Sequence, residues 1–505
     1  MMSNLRFAFI GSLAALGLLA GCDSEGGGTT PSPVDSGAPA RPLTSTEATA
    51  AVNQRVDELL TGLANSTARI DSTGSTAAVS DGLGAAVGSS SACPASTPTS
   101  GGSADDVPQS TTDGLDDFLR NVVKEVQEHV FRAEFVESED GKQVVYKMDP
   151  VAACDTDATC LQKLTQYPMR FAVTANSDDT LDVAMLIGEA RHNPGTAVLG
   201  PTKVSARVNL AVALDVIRLY TDAEDQADLP DRLAGVVAAA VEKRAENDFV
   251  ISGSLLERFD LLVGQAKGKP VAVTVQPSDP AVQLSINSAT NTLGYAANLG
   301  AADVQVAGAA VCDDQCGTSE QTGTFSGHLG GLSSQFTLTQ GATELTFSAL
   351  GLGNDTAFVA LNNEPLGTLD VNANGGRKLS VSFKKVTGGT LVTFDPALDI
   401  KLAIMLNKLS ESLRVDMPDW LGNEIFDVML GGAPQPSVLI PTPTCDIYGT
   451  PISKNQLQVA SGTLSLSASS LAAPVTVAAG MCLLPVDGAA GDAHPFSQVQ
   501  AGVCQ

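Results

Sequence analysis

Aromatic side chains are scarce in this chain of 505 residues: Phe, Tyr and Trp together make up 4%, and Trp420 is the one tryptophan. Little is left for base stacking, sugar platforms or cation–π recognition. Histidine is scarcer still, with His129, His192, His328 and His494 the full set. None stands in a nucleophile motif. The chain has no Gly-x-Ser-x-Gly elbow, no His-Glu-x-x-His helix and no phosphate loop with its lysine. A paired-carboxylate hydrolase would need only two acids, but 56 Asp and Glu residues single out no pair, and no catalytic role is expected. Positive charge is also short: 29 Lys and Arg against those 56 acids leave a formal charge of −27 and a pI near 4.3. The acid is spread along the chain, which favours solubility and opposes nucleic acid and other anionic partners.

What is present begins with an address. Arg6, an apolar run from Phe7 to Ala20 and small residues before Cys22 make a secretory signal, and the run is too short to span a bilayer permanently. The order Leu19-Ala20-Gly21-Cys22 resembles the lipobox of bacterial lipoproteins. That resemblance implies that residues 1–21 are removed and that Cys22 is acylated, with palmitate-type chains on its thiol and new amino group as a membrane anchor. Residues 22–43 are rich in Gly, Ser, Thr, Pro and Ala, the composition of a tether; about twenty such residues reach about 25 Å. Asp23 resembles the inner-membrane retention signal of enteric bacteria. The outer membrane or cell surface is favoured, and the periplasmic face of the inner membrane stays open.

With Cys22 assigned to lipid, Cys93, Cys154, Cys160, Cys312, Cys316, Cys445, Cys482 and Cys504 remain. An even number in an exported chain is expected to form disulfides. Cys154/Cys160 and Cys312/Cys316 would close small loops, Cys482/Cys504 would staple the C-terminus, and Cys93/Cys445 would remain as a long-range clamp; spacing alone does not decide connectivity. A zinc site at Cys312-x-x-x-Cys316 lacks a second pair of ligands nearby.

Along the chain, Thr44 and Glu47 have capping-box spacing, and Val52, Val56, Leu59, Leu60 and Leu63 recur at helical intervals. A Ser/Thr/Gly-rich segment follows to residue 112. A second helix is expected from Asp113 to Arg132, with Leu115, Phe118, Leu119, Val122, Val123, Val126 and Val130 on one face. The pattern then changes to period two. Arg170–Ala175, Leu181–Ile187 and Val204–Leu219 alternate, with turns at Asn176-Ser177-Asp178-Asp179 and Asn193-Pro194-Gly195. Strands continue through Phe249–Val263, Val271–Val275, Val282–Ile286, Thr324–Thr339, Glu344–Leu350, Leu379–Lys385 and Leu398–Leu409. One echo stands out: Leu229-Pro230-Asp231-Arg232-Leu233 after Val208–Leu219, and Met417-Pro418-Asp419-Trp420-Leu421 after Leu398–Leu409. Each is expected to start a helix, giving a duplicated strand–helix unit.

The sharpest local motif is Asp370-Val371-Asn372-Ala373-Asn374-Gly375, which matches the first half of a calcium loop. Val381 stands where the bidentate acid belongs, and Arg377-Lys378 adds positive charge, so Asp370, Asn372 and Asn374 are a weak Ca2+ candidate beside a plain Gly-Gly hairpin. His129 and Trp420 read as packing residues.

The expected fold class is α+β, mostly antiparallel β: an extended β-rich body with a few amphipathic helices and two related lobes. The expected divisions are 1–21, 22–43, 44–112, 113–311 and 312–505. The expected function is non-enzymatic, a lipid-anchored envelope protein with a binding or structural role toward a protein or polysaccharide. A second reading is a carrier of a lipid or other hydrophobic ligand held between sheet and helices.

Overall fold

The computed structural model describes residues 39–72, 120–307 and 323–504, less short stretches of which the longest are 372–378, 406–422 and 486–498. The described chain divides into two compact units. One holds the described residues up to Ala266 together with Thr274–Leu293, the other those of Lys267–Val273 and Gly294–Gln505.

The first unit is an antiparallel sheet on one long helix. Helix α1 (Ser45–Ser72) starts as its sequence indicates: the Glu47 N–H donates to Thr44 Oγ1 at 3.3 Å, while the Glu47 carboxylate, expected to fold back on the cap, pairs with Arg41 instead. Its Val52, Val56, Leu59, Leu60 and Leu63 are buried, each contributing roughly 1.5–3 kcal/mol. The strands are β1 (Val136–Glu139), β2 (Gln143–Lys147), β3 (Met169–Ala175), β4 (Leu181–Ile187), β5 (His192–Leu199), β6 (Lys203–Asn209), β7 (Arg232–Ala234), β8 (Val236–Ala245), β9 (Asp248–Leu255), β10 (Phe259–Val263), the last two residues of β11 (Val271–Val275), and β12 (Ser278–Asn287). They pair in the order β1-β2-β3-β4-β5-β6-β8-β9-β12, all antiparallel, with β7 paired to β10. Alternate residues Val144, Tyr146, Phe171, Val173, Val183 and Met185 point toward α1 and share one core with it. Phe131 meets Tyr146 and Phe171 edge to face, with centroids 5.2 and 5.7 Å apart. Short helices α2 (Pro150–Cys154) and α3 (Ala158–Gln166) are stapled by the Cys154–Cys160 disulfide, and α4 (Leu210–Tyr220) follows β6.

The second unit contains most of β13 (Thr292–Leu299), then β14 (Ala302–Ala307), β15 (Thr324–Leu329), β16 (Leu332–Thr339), β17 (Glu344–Leu352), β18 (Ala357–Leu361), β19 (Glu364–Val371), β20 (Leu379–Val386), β21 (Gly389–Asp395), β22 (Leu398–Met405), β23 (Asn423–Gly431), β24 (Ser437–Pro441), the small ladder β25 (Thr444–Cys445) with β26 (Pro451–Ile452), β27 (Leu457–Ser461), β28 (Thr463–Ala468), β29 (Val475–Ala478), β30 (Met481–Pro485) and β31 (Val499–Val503). Consecutive strands enter two sheets by turns. One arm is β14-β15-β18-β19-β22-β23-β28-β29, the other β16-β17-β20-β21-β24-β27-β30-β31.

Several joints between the arms are one or two residues that include a glycine. β13 passes to β14 through Gly300-Ala301, β15 to β16 through Gly330-Gly331, and β27 to β28 through Gly462 alone. Gly331, Gly432 and Gly462 have φ of +118°, +114° and +82°, which a side chain resists. These joints also lie against one another: a Cβ on Gly432 would sit 3.0 Å from the Cα of Gly462, and one on Gly331 would sit 3.3 Å from the Leu299 carbonyl oxygen. Each long strand is thus creased, and the creases align, so the unit is one sheet folded over on itself. Gly235 repeats the device in the first unit, between β7 and β8, at φ +122° against Arg258 and Phe259.

Several expectations are corrected. The fold is β-rich rather than α+β: strands dominate, and the helical residues among those described all belong to the first unit. The run Val208–Leu219, read as a strand, leaves the ladder at Asn209, whose side chain accepts from the Ala211 and Val212 N–H groups at 3.1 Å and starts α4. After Leu229 the segment expected to become helical is strands β7 and β8, and Ile425, Phe426 and Leu430, expected on the other helix, lie in strand β23, while Met417–Gly422 lie outside the described residues. Cross-strand pairing of Val and Ile outweighed a loose helical spacing. Asn193-Pro194-Gly195 lies within β5; the turn is at Gly188–Arg191, where Arg191 has φ +52°. The turn at Asn176–Asp179 is in place, Asp178 accepting from the Thr180 N–H and hydroxyl. Of the second helix, residues 120, 123, 124 and 127–129 are helical, and Val123 and Val130 are buried; Leu115, Phe118, Leu119, Val122 and Val126 lie outside the described residues.

Candidate functional site: an apolar trough in the second unit

The alternation of strands decides what the folded-over sheet encloses. Residues directly opposite in an antiparallel ladder share a face. In the first arm, Leu398, Ile400 and Leu402 lie in register with Leu430, Val428 and Phe426, and Leu369 and Val371 lie opposite Leu402 and Ile400. The same face continues through Val359 to Gly327 and Val304, and through Leu361 to Phe325 and Val306. It is apolar across the arm apart from Glu364, opposite Leu361, and Glu424, opposite Ile404. The opposite face reads Asp303 against His328, and Asp370, Lys401, Asp427 and Ser467 in one row.

The second arm shows the same division. Phe336, Phe347, Val381 and Phe394 form one row, while Thr337, Thr346, Ser382, Thr393, Ser437 and Ser461 form the adjacent row on the other face. The apolar faces of the two arms meet: Val381, Val392, Val438 and Val459 pack with Leu430, Leu464 and Val477. Face-to-face sheets stand about 10 Å apart when their side chains interdigitate.

This packing is confined to one stretch of the fold. Leu430, Val459 and Val477 are at most 1% exposed. Toward β14, β15, β18 and β19 the inward residues Val304, Val306, Phe325 and Leu369 are only half-buried and Val359 is 37% exposed, although Ala360 of β18 and Leu366 of β19 are buried. Tyr295 stacks on Phe336, centroids 5.0 Å apart, at that end of the second arm. The two arms therefore close at their C-terminal strands, and the apolar face beyond them, the trough, is only partly covered. In the first unit the corresponding apolar face is covered by α1.

The charged positions of inward register, Glu364, Lys385 and Glu424, are at strand ends. A histidine–carboxylate contact, His328 Nδ1 to Asp303 Oδ1 at 2.7 Å, belongs to the outward face. In the first unit the ionisable groups have structural work. The Arg170 guanidinium donates to Glu137 at 2.6 and 3.1 Å and holds that carboxyl below its ordinary value. Burial pushes the Tyr146 and Tyr220 hydroxyls up; Tyr146 contacts Thr49 Oγ1 at 2.9 Å and Tyr220 donates to the Tyr167 carbonyl.

The other sequence candidates are placed as follows. Cys482 and Cys504 form a disulfide that ties edge strand β31 to β30, as Cys154 and Cys160 do between α2 and α3. Cys445 is in β25, while Cys22, Cys93, Cys312 and Cys316 lie outside the described residues, as do Trp420 and His494. Asp370 is exposed on β19 opposite Lys401, and Asn372 and Asn374 lie outside the described residues. Among the described residues no group of three or more His, Cys, Asp or Glu side chains is gathered for a metal, and no helix is long and apolar enough to cross a membrane. Sequence reasoning missed the trough, whose one local signal is the glycine at each crease. Comparison with protein-family models, with curated proteins and with solved structures gave no match.

Proposed function

We propose that this chain is a lipid-anchored, non-enzymatic protein of a bacterial envelope whose second unit holds a hydrophobic ligand. The trough carries the proposal: a folded protein gains by covering apolar surface, and the inward faces around Val359, Leu369 and Phe325 stay half-open. Anchoring rests on Leu19-Ala20-Gly21-Cys22 and the tether that follows. The Cys154–Cys160 and Cys482–Cys504 bridges favour an oxidising compartment. A docking role toward a protein or polysaccharide would instead use the outward hydroxyl-rich faces, and it leaves the trough without a purpose.

The test is native mass spectrometry with solvent extraction on the chain secreted into an oxidising compartment without residues 1–22. Stoichiometric co-purified lipid is expected, and it should be lost in Val359→Glu, which places a carboxylate in the trough at an already exposed position. A clean apo mass for the unaltered chain rejects the reading. For the anchor, the N-terminal peptide is expected to carry acyl mass that disappears in Cys22→Ala.

A further inference from the structure

A strand at a sheet edge presents unpaired backbone N–H and C=O groups, and proteins blunt such edges with charge, bulges or very short strands. In the first unit the edge strands β1 and β7 are blunted. β1 carries Glu137 and Glu139 and a register shift after Val136, and β7 has three residues, one of them Arg232. In the second unit, β31 pairs with β30 alone among the described residues and β29 with β28 alone, and neither ladder is bulged. Neither strand carries a charge. Residues 455–486 and 495–505 contain no Asp, Glu, Lys or Arg, in a chain where those residues make up 17%. Val477 of β29 packs in one cluster with Leu483 of β30 and Ala501 of β31, so the two bare edges border the closed end of the unit together.

Charge and register select what such a border accepts. At a formal charge of −27 two copies of the chain repel one another, and along this border a second copy meets no charge. The sequence of β31, Val499-Gln500-Ala501-Gly502-Val503, is complementary to itself. Paired antiparallel about Ala501, it sets Val499 opposite Val503 of the second copy, and Gln500 opposite Gly502, where no side chain competes for space. Val503 is 82% exposed in the single chain, and this pairing sets it against another valine. A twofold axis perpendicular to the sheet keeps the apolar faces of both copies on the same side and brings β29 beside its own copy in the facing layer. The Cys482–Cys504 bridge already holds β31 on β30, so the edge is ordered before it pairs.

We infer that the second unit is an edge-to-edge dimerisation module, in which two copies of this chain join β31 to β31 antiparallel about Ala501 and each continues the other's sheet. The dimer does not depend on what the trough holds. The test is sedimentation equilibrium on the chain secreted into an oxidising compartment without residues 1–22, so that no acyl chain associates the copies, over an about hundredfold range of concentration. A concentration-dependent dimer is expected. Val503→Asp, its fold checked by circular dichroism, should weaken the dimer more than about tenfold, because it sets a carboxylate against Val499 at both ends of the pairing. Val151→Asp, at a valine 65% exposed on α2 of the first unit, should leave it unchanged. Ala501→Cys should yield a covalent dimer on mild oxidation, since directly opposite Cα atoms of an antiparallel pair lie about 4.5–5.5 Å apart, within disulfide reach.

A monomer throughout that range overturns the inference and leaves the edge to a strand of a different protein. A dimer that persists in Val503→Asp, or that Ala501→Cys does not lock, places the contact elsewhere and equally overturns it.

Discussion

The creases can be tested by adding one methyl group at a time. Gly432 turns β23 toward β24 at φ +114°, and its missing Cβ would lie 3.0 Å from the Cα of Gly462, itself a crease residue of the adjacent strand. Alanine there meets two costs: an unfavourable backbone conformation of about 1–3 kcal/mol, and a clash relieved only by parting two backbones, about 1–3 kcal/mol more. Gly480, between β29 and β30, has φ +83° and nothing within 4 Å of its Cβ position. Gly480→Ala meets only the first kind of cost, about 1–2 kcal/mol. Gly331, with a carbonyl oxygen at 3.3 Å, falls between. Because a chain of two units need not unfold in one step, the assay is hydrogen exchange at the paired amides of β23 and β28, Phe426–Gly431 against Thr463–Ala468. Gly432→Ala should lower their protection most, and Gly480→Ala least. Equal effects at Gly432 and Gly480, or none at Gly432, would refute the idea that aligned glycine creases hold the arms together.

Three further outcomes are expected. Removing the Cys482–Cys504 bridge, which spans 22 residues, should cost about 3 kcal/mol, and removing Cys154–Cys160, which spans 6, about 2 kcal/mol; denaturant midpoints of the paired alanine variants would show the order, and the reverse order would count against the loop-length account. Glu137 has its carboxyl lowered from 4.5 by the Arg170 hydrogen bonds. Its contribution is therefore complete above pH 4.5 and is lost as pH falls through the lower folded value, so the deficit of Glu137→Gln should be present at pH 7 and shrink progressively as pH falls below 4.5; a deficit independent of pH would contradict this. Asn209→Ala should destabilise α4 by about 1 kcal/mol, read as faster exchange of the Ala211 and Val212 amides, and unchanged exchange there would rule out the cap.

How much was legible depends on the range of the interactions involved. Features settled within a few residues were readable. Thr44 caps α1 three residues on, Asp178 closes its turn onto Thr180, and Cys154 reaches Cys160 across one short loop. Strand texture was readable too, because alternation reports a two-faced sheet wherever it packs. The failures share a cause. Val208–Leu219 is apolar enough to satisfy either period, and the asparagine at its head decided for helix. The segments after Leu229 and Gly422 carry Val and Ile at spacings that either helix or ladder accepts, and ladder neighbours far away in sequence chose the ladder.

By itself the sequence determined the acidic and aromatic-poor chemistry, the dominance of β-strand and the position of the first helix, because each follows from composition or from contacts a few residues apart. It also read Phe249–Val263 and Thr324–Thr339 as single strands. Tertiary structure bends both, at 256–258 and at Gly330-Gly331. A glycine among 48 does not announce a crease. It becomes one only when the neighbouring strand turns beside it, and the close approach of those two backbones, which a Cβ would obstruct, folds one amphipathic sheet over its own apolar face.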